Sequence, residues 1–346
     1  MVSQHSVLRE TVVSTRIRLA RNLACFPFPS TMKEKHSAEV LHLVSEAFKD
    51  MFDDRYQCYP MDRLSAHEKL SYQERHLVSP LLLKEEENRA VILSTDKKFA
   101  VMVNEEDHLR EQYICKGFNL QEAYDKLSAL DNRLSGILDF AYDKTLGYLT
   151  ACPSNLGTGM RASVMVFLPG LTWNGGLKKL LPMLREKRMT LRGAFGEGSR
   201  AEGYLYQLSN EQTLGLSEQE ILDRVFEVTM TICDQEVRAR EEMLKTSETE
   251  LRDRCLRAYG TLTNCALLDM EEFYTKITDV RLGIFLKFFE VASLEAFNRF
   301  LDDMQPATFS LNNHLEGEEE RFYDEVRAEA VGSTLRQLMQ VVRNRN

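Results

Sequence analysis

Arginine residues stand beside glycine-bearing segments of this sequence, and they are the first candidates for chemistry. Arg161 follows the segment Asn155–Met160, which contains two glycines, and Arg192 directly precedes Gly193. Two more arginines alternate in the string Ser14-Thr15-Arg16-Ile17-Arg18, so in an extended chain they point to the same face. Guanidinium groups bind phosphate oxygens bidentately, and glycine lets a backbone approach a ligand closely. Neither glycine segment fits the P-loop or the dinucleotide-binding pattern, so the arginines themselves are predicted to bind an anion.

A cluster of carboxylates follows the apolar run Phe99–Val103, in the string Asn104-Glu105-Glu106-Asp107-His108-Leu109-Arg110. Adjacent carboxylates repel one another, so the cluster needs either solvent or a cation. One interpretation is a solvated turn at the end of a strand. The other is a carboxylate that holds a cation and accepts a proton during a reaction. The residues alone leave both interpretations open.

Cysteine usage indicates a reducing compartment. The seven cysteines form no CxxC pair and are odd in number, which argues against a zinc knuckle and against a secreted disulfide framework. Most of them are expected to be buried free thiols. The exception is Cys152, because it opens the string Cys152-Pro153-Ser154-Asn155-Leu156-Gly157-Thr158-Gly159.

Length and composition predict a globular protein of about two domains, since the chain has 346 residues. Hydrophobic residues make up 43% and charged residues 28%, which excludes a fully disordered chain. The net charge of −9 argues against nucleic acid as a partner. No apolar run is long enough for a membrane span, and the first ten residues do not resemble a signal peptide. A cytoplasmic location is therefore expected.

The elements that must position these residues change in character along the chain. Apolar runs predict strands at Arg89–Ser94, Phe99–Val103, Leu146–Thr150, Ser163–Leu168, Thr190–Gly193 and Gly203–Leu208. Three-to-four spacing predicts a helix over Gln121–Phe140. The capping box Ser217-x-x-Glu220 opens a helix predicted to reach about Lys245, and the helical remainder is expected to break at Gly260 and near Pro306. The boundary is placed near 240, with an α/β domain over 1–240 and a helical domain over 241–346.

Four of these segments, in this order, resemble the motifs of the phosphagen (guanidino) kinases. They are Ser14–Arg18, Asn104–Arg110, Cys152–Ala162 and Arg192-Gly193. The Cys-Pro-Ser-Asn-Leu-Gly-Thr-Gly string is the most specific of them, and the resemblance covers about residues 12–240. It implies an α/β (α+β) fold: a catalytic domain with an antiparallel β-sheet flanked by helices, followed by a smaller all-helical domain.

The resemblance also implies ATP and Mg²⁺, without assigning any protein ligand to the metal. Five arginines match the family's phosphate-binding residues, namely Arg16, Arg18, Arg110, Arg161 and Arg192. His76 is implied to lie near the base and ribose, although a purely structural histidine is the alternative. The remaining motif residues assigned to the nucleotide are Ser14, Thr15, Ile17, Ala162, Ser163, Val164, Met165, Gly193, Ala194, Phe195, Gly196 and Glu197.

The implied acceptor is a guanidinium group, whose pKa above about 12 makes its nitrogen a poor nucleophile. By resemblance Glu106 is the catalytic carboxylate, with Glu105 beside it. Glu197 matches a second glutamate that pairs with the guanidinium, so that two carboxylates orient the planar group. Cys152 is implied to orient the substrate, and nearby arginines are expected to favour its thiolate form.

The layout of the whole chain is similar to one branch of the family, the bacterial protein-arginine kinases. Only 13 residues precede Ser14, whereas the small-molecule kinases carry a helical domain there. Met165, where small-molecule kinases often have histidine, fits the same branch. The resemblance implies protein substrates with exposed arginine, a zinc-binding activator protein, a heat-shock repressor, a Clp ATPase that degrades the marked proteins, and self-association.

That branch also has an allosteric phosphoarginine pocket in its helical domain. The matching residues are Tyr323, Asp324, Arg327 and Ala328, but the first arginine of the motif is replaced by tyrosine. A charged helix face is the alternative interpretation. Two other functions also stay open: a kinase for free arginine or another small guanidine, and an adaptor that binds the repressor without catalysis.

Overall fold

A computed structural model describes residues 8, 10–52, 55–84, 87–193 and 202–342. The strands are β1 (Val12–Arg21), β2 (Tyr56–Pro60), β3 (Ala90–Ser94), β4 (Phe99–Val103), β5 (Leu109–Lys116), β6 (Tyr142–Asp143), β7 (Gly147–Tyr148), β8 (Met160–Phe167), β9 (Met189–Gly193), β10 (Leu205–Asn210), β11 (Phe289–Val291) and β12 (Met339–Val341). The helices are α1 (Glu34–Phe52), α2 (Ala66–Glu74), α3 (Leu120–Ser135), α4 (Pro169–Trp173), α5 (Leu177–Glu186), α6 (Glu218–Asn264), α7 (Met270–Phe285), α8 (Leu294–Asp303), α9 (Pro306–Asn313) and α10 (Glu320–Leu338). Within these ranges, no helix combines the length and the apolar character needed to cross a membrane.

Eight strands form an antiparallel sheet in the order β2-β3-β4-β5-β1-β8-β10-β9. This confirms the predicted fold class, an antiparallel sheet flanked by helices. The predicted strands Arg89–Ser94 and Phe99–Val103 are confirmed as the neighbours β3 and β4. The prediction at Leu146–Thr150 was too long, because the chain forms only the two-residue β7, which pairs with β6 outside the main sheet.

Helix α3 is shorter than its apolar spacing predicts. It ends at Ser135, and Gly136 takes the C-cap position. Leu138 and Phe140 are nevertheless buried, although they lie beyond the helix. The spacing beyond Ser135 therefore marks positions that pack into the core, and the prediction that the helix reaches Phe140 was wrong.

The alternating residues of strand β1 identify the two faces of the sheet. Thr15, Ile17 and Leu19 are buried, and Arg16 and Arg18 alternate with them. Helix α3 and the first half of α6 cover the face that carries Ile17, where they build the main hydrophobic core. The arginines lie on the other face of the central strands because side chains alternate along a strand.

A buried ion pair attaches α3 to the sheet. Both Nε and Nη2 of Arg21 donate to the carboxylate of Asp131 at 2.9 Å, and the guanidinium stacks 3.5 Å from the ring centre of Tyr148. Glu111 lies beside this pair and is fully buried. Burial first, and then the neighbouring Asp131 carboxylate, raise the pKa of Glu111 well above its ordinary value. Burial beside this pair therefore favours the protonated form of Glu111 in the folded state.

Helix α6 begins at the predicted capping box, where Ser217 and Glu220 bond reciprocally. It continues past Lys245 to Asn264, with one non-helical residue at Ser247 (φ −149°, ψ 32°). The predicted break at Gly260 was wrong, since buried neighbours along this segment pack into a core and outweigh the low helix propensity of glycine.

The C-terminal region is helical, with one short addition. Pro306 is the first residue of α9, as the predicted break at this position requires. Strands β11 and β12 form a two-stranded pair that sequence reasoning missed. The hydrophobic cluster of this region begins at Met243, whereas the cluster under the large sheet ends at Ala239.

We expect the substitution Glu111→Gln to flatten the dependence of stability on pH. A carboxyl group with a raised pKa in the folded state stabilises the fold fully below its unfolded pKa of about 4.3, and that stability is lost as pH rises. Glutamine copies the neutral form at every pH. Urea unfolding at pH 5 and pH 8 should therefore show a smaller loss in Glu111→Gln than in the wild type. Glu122→Gln, on the exposed face of α3, is the control and should keep the wild-type slope; the same slope in Glu111→Gln would contradict the assignment.

Candidate active site

Five arginines lie on one face of five adjacent strands, β5, β1, β8, β10 and β9. Directly opposed residues of antiparallel strands share a face. The opposed pairs are Arg18–Gln112, Arg18–Arg161, Arg16–Ser163, Ala20–Arg110 and Gln207–Arg192. The sheet thus brings Arg110 and Arg192, far apart in sequence, onto the face where Arg16 and Arg18 alternate.

These guanidinium groups repel one another. Desolvation first, and then the charges of Arg110 and Arg161, lower the pKa of Arg16 to about 10. Desolvation, Arg16 and the same two arginines lower the pKa of Arg18 as well. The Nε atoms of Arg18 and Arg161 are buried and have no hydrogen-bond partner within the described ranges. A desolvated group of like charges is stabilised by a ligand with several negative charges.

Strand β10 holds two of the arginines with neutral side chains. Arg16 Nη2 donates to Gln207 Oε1 at 3.1 Å, and Arg161 Nη2 donates to Ser209 Oγ at 2.9 Å. Neutral acceptors fix the guanidinium planes without cancelling their charge. The sequence analysis did not identify Gln207 and Ser209. The pattern that could have indicated them is their alternation with the apolar Leu208 in β10, which pairs with β8, the strand that carries Arg161.

The three adjacent carboxylates have three different environments. Glu105 is buried and pairs with Arg110, whose Nη1 donates to both carboxylate oxygens at 2.7 and 2.9 Å. The hydroxyl of Ser79 donates to the same carboxylate. Burial alone would raise the pKa of Glu105, but Arg110 and Ser79 outweigh it and lower the pKa below its ordinary value. Glu105 therefore stays ionised and orients Arg110.

Glu106 is the partly exposed member of the cluster. Partial burial first, and then the charges of Asp107 and Glu105, raise its pKa above the ordinary value, although Arg110 opposes the shift. A carboxylate with a raised pKa is a stronger base than one in water. Burial raises the pKa of Asp107 as well, but its carboxylate is buried and already accepts two hydrogen bonds, so Glu106 has the environment suited to accept a proton.

Asp107 connects the carboxylate turn to the segment before Cys152. Its Oδ1 accepts from the backbone N–H of Ala151 at 2.7 Å and from Asn22 Nδ2 at 2.6 Å. The Sγ atom of Cys152 lies 3.0 Å from the hydroxyl oxygen of Ser154. Asp107 thus holds the Glu106 turn against the loop that carries the thiol.

The glycines of the Cys152 loop contact protein backbone. Gly157 and Gly159 have φ angles of +107° and +64°. A Cβ on Gly157 would lie 2.6 Å from the carbonyl oxygen of Thr213, and one on Gly159 would lie 2.7 Å from that of Ala20. The expectation that these glycines approach a ligand is corrected, because the close approach is to the neighbouring loop and strand. A cavity of about 190 Å³ lies beside this loop, lined by Ser154, Asn155, Arg161, Arg192, Asn210, Glu211 and Thr213.

His76 stands at the rim of the arginine face in a left-handed conformation, with φ of 59°. Its backbone N–H donates to Gln73 O and that of Leu77 to Tyr72 O, so His76 occupies the turn position after α2 that usually favours glycine. His76 is an exposed residue. Desolvation by the rim, and then the charges of Arg16, Lys116 and Arg18, lower its pKa to about 4. A neutral imidazole therefore faces the arginines at physiological pH.

The other motif residues divide between the two faces. Ser14, Ser163 and Met165 alternate onto the arginine face, and the hydroxyl of Ser163 donates to Arg16 O at 3.2 Å. The buried residues on the core face are Thr15, Ile17, Ala162 and Val164. Their side chains lie on the face opposite the arginines, and the assignment of these residues to the nucleotide stays a prediction. Gly193 is the last residue of β9, and Ala194, Phe195, Gly196 and Glu197 lie outside the described residues.

The residues predicted to form the phosphoarginine pocket are closely packed. Arg327 is 5% exposed, and its Nη1 donates to Leu268 O at 2.6 Å and to Asp324 at 2.7 Å. The hydroxyl oxygen of Tyr323 lies 3.1 Å from that of Ser310. Ala328 is buried in the helical core. These bonds use one terminal nitrogen of the Arg327 guanidinium, and the phosphoarginine pocket stays a prediction.

Two family models match the chain. The ATP:guanido phosphotransferase C-terminal catalytic domain matches residues 39–239, and the protein-arginine kinase McsB C-terminal domain matches residues 248–345. Among solved structures, a lombricine kinase has a TM-score of 0.61 and 25% identity, covering 70% of this chain and 71% of that chain. The duplicated taurocyamine kinase of Schistosoma mansoni, with bound transition state analog components, has a TM-score of 0.60 and 29% identity, covering 66% of this chain and 33% of that one.

Curated relatives extend the similarity over most of the chain. The protein-arginine kinase of Clostridium acetobutylicum is 39% identical over 315 residues, which are 90% of this chain and 93% of that protein. The protein-arginine kinase of Halalkalibacterium halodurans is 40% identical over 299 residues, 86% of this chain and 84% of that protein. The chain therefore belongs to the ATP:guanido phosphotransferases, and within them to the protein-arginine kinases.

We expect Arg18→Met to stabilise the ligand-free protein and to abolish its stabilisation by ATP. The substitution removes a desolvated charge that three other arginines repel, so the free energy of unfolding should rise by about 1 kcal/mol or more. Thermal unfolding with and without Mg-ATP measures both effects.

The control for this experiment is Arg257→Met. Arg257 is exposed on α6 and pairs with Asp253 at 2.8 Å, so its loss should change stability by less than about 1 kcal/mol and leave the ATP effect intact. An Arg18→Met variant that is no more stable than the wild type, and is still stabilised by ATP, would contradict this interpretation.

Proposed function

We propose that this chain transfers the γ-phosphoryl group of ATP to arginine side chains of proteins. The observation that carries the proposal is the face of five arginines with Glu106 at its edge, in a turn tied to the Cys152 loop. The arginines provide positive charge for a polyphosphate, and the Glu106 carboxylate and the Cys152 thiol provide acidic groups for a cation. Both reactants of a guanidino phosphotransfer thus find complementary chemistry side by side.

The arginines are proposed to bind the phosphates and to stabilise charge on the transferred group. Phosphoryl transfer depends mainly on positioning and on cations around the three equatorial oxygens. Because neutral acceptors on β10 orient Arg16 and Arg161, their positive charge is available to the ligand. Arg110 is different, since Glu105 fixes its direction and shares its charge.

Glu106 is proposed to be the base. The bond between the γ-phosphorus and the bridging oxygen breaks, with its electron pair leaving on ADP. A bond forms from an acceptor nitrogen to the same phosphorus, and the proton of that nitrogen passes to the Glu106 carboxylate. The raised pKa of Glu106 supports this role, because the ordinary carboxylate is a weak base toward a guanidinium.

Cys152 and Glu197 are proposed to orient the acceptor. Two acidic groups on either side of a planar guanidinium would direct one nitrogen toward the phosphorus. The attachment of the Cys152 loop to Asp107 supports a fixed distance between this thiol and Glu106.

Mg²⁺ is proposed to enter with ATP. Within the described ranges, no group of three or more His, Cys, Asp and Glu side chains could hold a metal ion by itself. This fits Mg²⁺, which proteins commonly bind through substrate phosphates and one or two carboxylates. Glu105, which pairs with Arg110, and the neighbouring Glu106 are carboxylates at the edge of the arginine face, and the cation would reduce the negative charge of the phosphates.

The wider setting is proposed on the resemblance to protein-arginine kinases. It comprises a cytoplasmic location, a catalytic unit over residues 1–240, a helical unit over 241–346, and self-association. The proposed partners are a zinc-binding activator, a heat-shock repressor and a Clp ATPase that degrades the marked proteins in a stress response.

The function is tested by incubating the chain with Mg-ATP and either an unfolded arginine-rich protein or free arginine. Acid-labile phosphate is then located by mass spectrometry. Phosphoarginine on the protein is the expected result. Phosphorylation of free arginine alone would instead support a small-molecule kinase, and transfer to neither acceptor would contradict catalysis by the chain alone and favour the adaptor function.

We expect Glu106→Gln to lower kcat by about 10²–10⁴-fold, the usual contribution of a general base, while KM for ATP changes less than about twofold. Steady-state phosphorylation of the protein acceptor measures both constants. Glu186→Gln, on the exposed side of α5, is the matched control and should behave as the wild type. A Glu106→Gln variant with wild-type kcat would remove Glu106 from this role.

A further inference from the structure

We propose that Glu74 is a positioning residue of the ATP site. Its carboxylate ties the end of helix α2, and with it the turn from His76 to Ser79, to helix α9 of the C-terminal region. The inference rests on the proposed function, because it assumes that the arginine face beside this turn is the ATP site. It implies that the C-terminal region sets ATP affinity through a contact that lies outside the arginine face.

The carboxylate of Glu74 caps a helix that has no cap of its own. Gln305, at the N-cap of α9, makes no side-chain capping bond. Glu74 Oε1 accepts from the backbone N–H of Ala307 at 2.8 Å, and Oε2 accepts from the N–H and the hydroxyl of Thr308, both at 2.9 Å. The hydroxyl of Ser71, one turn earlier on α2, lies 2.9 Å from that of Thr308. Three bonds to one charged group at a helix N-terminus make a strong, directional attachment.

The attached end of α2 sets the conformation of His76. Glu74 is the last residue of the helix, and His76 follows two residues later in the left-handed region. Such a conformation is unfavourable for a side chain with a Cβ and persists where its surroundings hold it. Gln112 of the sheet also holds this turn, since its Nε2 donates to His76 O at 2.8 Å and to Leu77 O at 2.9 Å. In the sheet Gln112 lies directly opposite Arg18.

The same turn reaches the arginine face a second time, through Ser79. Its hydroxyl donates to Glu105, which in turn holds Arg110. Leu77 and Leu82 pack against β3 and β4, so the turn forms a wall beside the arginines. A shift of α2 relative to α9 would therefore move both the imidazole of His76 and the group that orients Arg110.

Two ion pairs accompany Glu74 at this contact but are weaker candidates. Lys116 pairs with Asp302, and Arg75 lies 3.8 Å from Asp303. All four side chains have substantial solvent exposure, and exposed pairs contribute little to stability. Thr308, by contrast, is 2% exposed. We therefore expect the contact between Glu74 and the buried Thr308, rather than the exposed ion pairs, to transmit a shift of α9 to the end of α2.

The test is Glu74→Gln in the full-length chain, with ATP affinity measured by calorimetry. Glutamine keeps one acceptor oxygen and loses the charge and the second acceptor. We expect ATP affinity to fall about three- to tenfold. This factor is the free energy of one lost helix cap expressed as a change in the dissociation constant. KM for ATP should rise by the same factor while kcat changes less than about twofold, and backbone amides of residues 76–79 should exchange hydrogen faster.

The matched control is Asp269→Asn. Asp269 caps α7 in the same C-terminal region, accepting from Glu272 N at 2.8 Å, but it does not contact α2. It should lower stability without changing ATP affinity or exchange at residues 76–79. If Glu74→Gln does not fold, Thr308→Val removes the hydroxyl bonds to Glu74 and Ser71, keeps the two backbone bonds to Glu74, and should give a smaller change of the same kind.

The outcomes separate this inference from the proposed function. Reduced ATP affinity and faster exchange in Glu74→Gln, absent in Asp269→Asn, support the positioning role even if no arginine becomes phosphorylated. Loss of stability in Glu74→Gln with unchanged ATP affinity and unchanged exchange would overturn it, even if the chain is an active kinase.

Discussion

Mutual repulsion among five guanidinium groups is the constraint on which the rest of this structure depends. Strands β5, β1, β8, β10 and β9 place the groups on one face, and burial first, then repulsion between the groups, lowers the pKa values of Arg16 and Arg18. The sheet can hold them because its other face packs on α3 and α6 in a continuous core. Stability is thus concentrated on one side of the sheet and binding capacity on the other, which is why the face is best understood as a site for a polyphosphate.

Like charges are also held close together in the turn of three carboxylates at the edge of the arginine face. Three adjacent carboxylates would be equivalent in water, yet the fold gives each a separate environment. Glu105 is paired and stays ionised, Asp107 is occupied by backbone and amide donors, and Glu106 is left partly exposed with a raised pKa. One turn therefore provides an orienting group, an anchor and a base, and the anchor links the base to the Cys152 loop. The division depends on contacts from Ser79 and Arg110.

Sequence reasoning found what local spacing determines. The alternation of Arg16 and Arg18, the hairpin of β3 and β4 and the capping box at Ser217 all depend on neighbours within a few residues. It did not find Gln207, Ser209 or Glu74, because their partners lie 191, 48 and 233 residues away and each is an ordinary polar residue in its own segment. A motif string also does not by itself separate the side chains of a strand's two faces, and the burial of Ala162 and Val164 became apparent only in the fold.

Calorimetric titration of the intact chain with ATP, ADP and AMP tests most directly whether the arginine face binds a polyphosphate. We expect affinity to fall with each phosphate removed, and added salt to weaken ATP binding more than AMP binding. If AMP bound as tightly as ATP, with the same dependence on salt, the interpretation of the arginine face as a phosphate site would be contradicted.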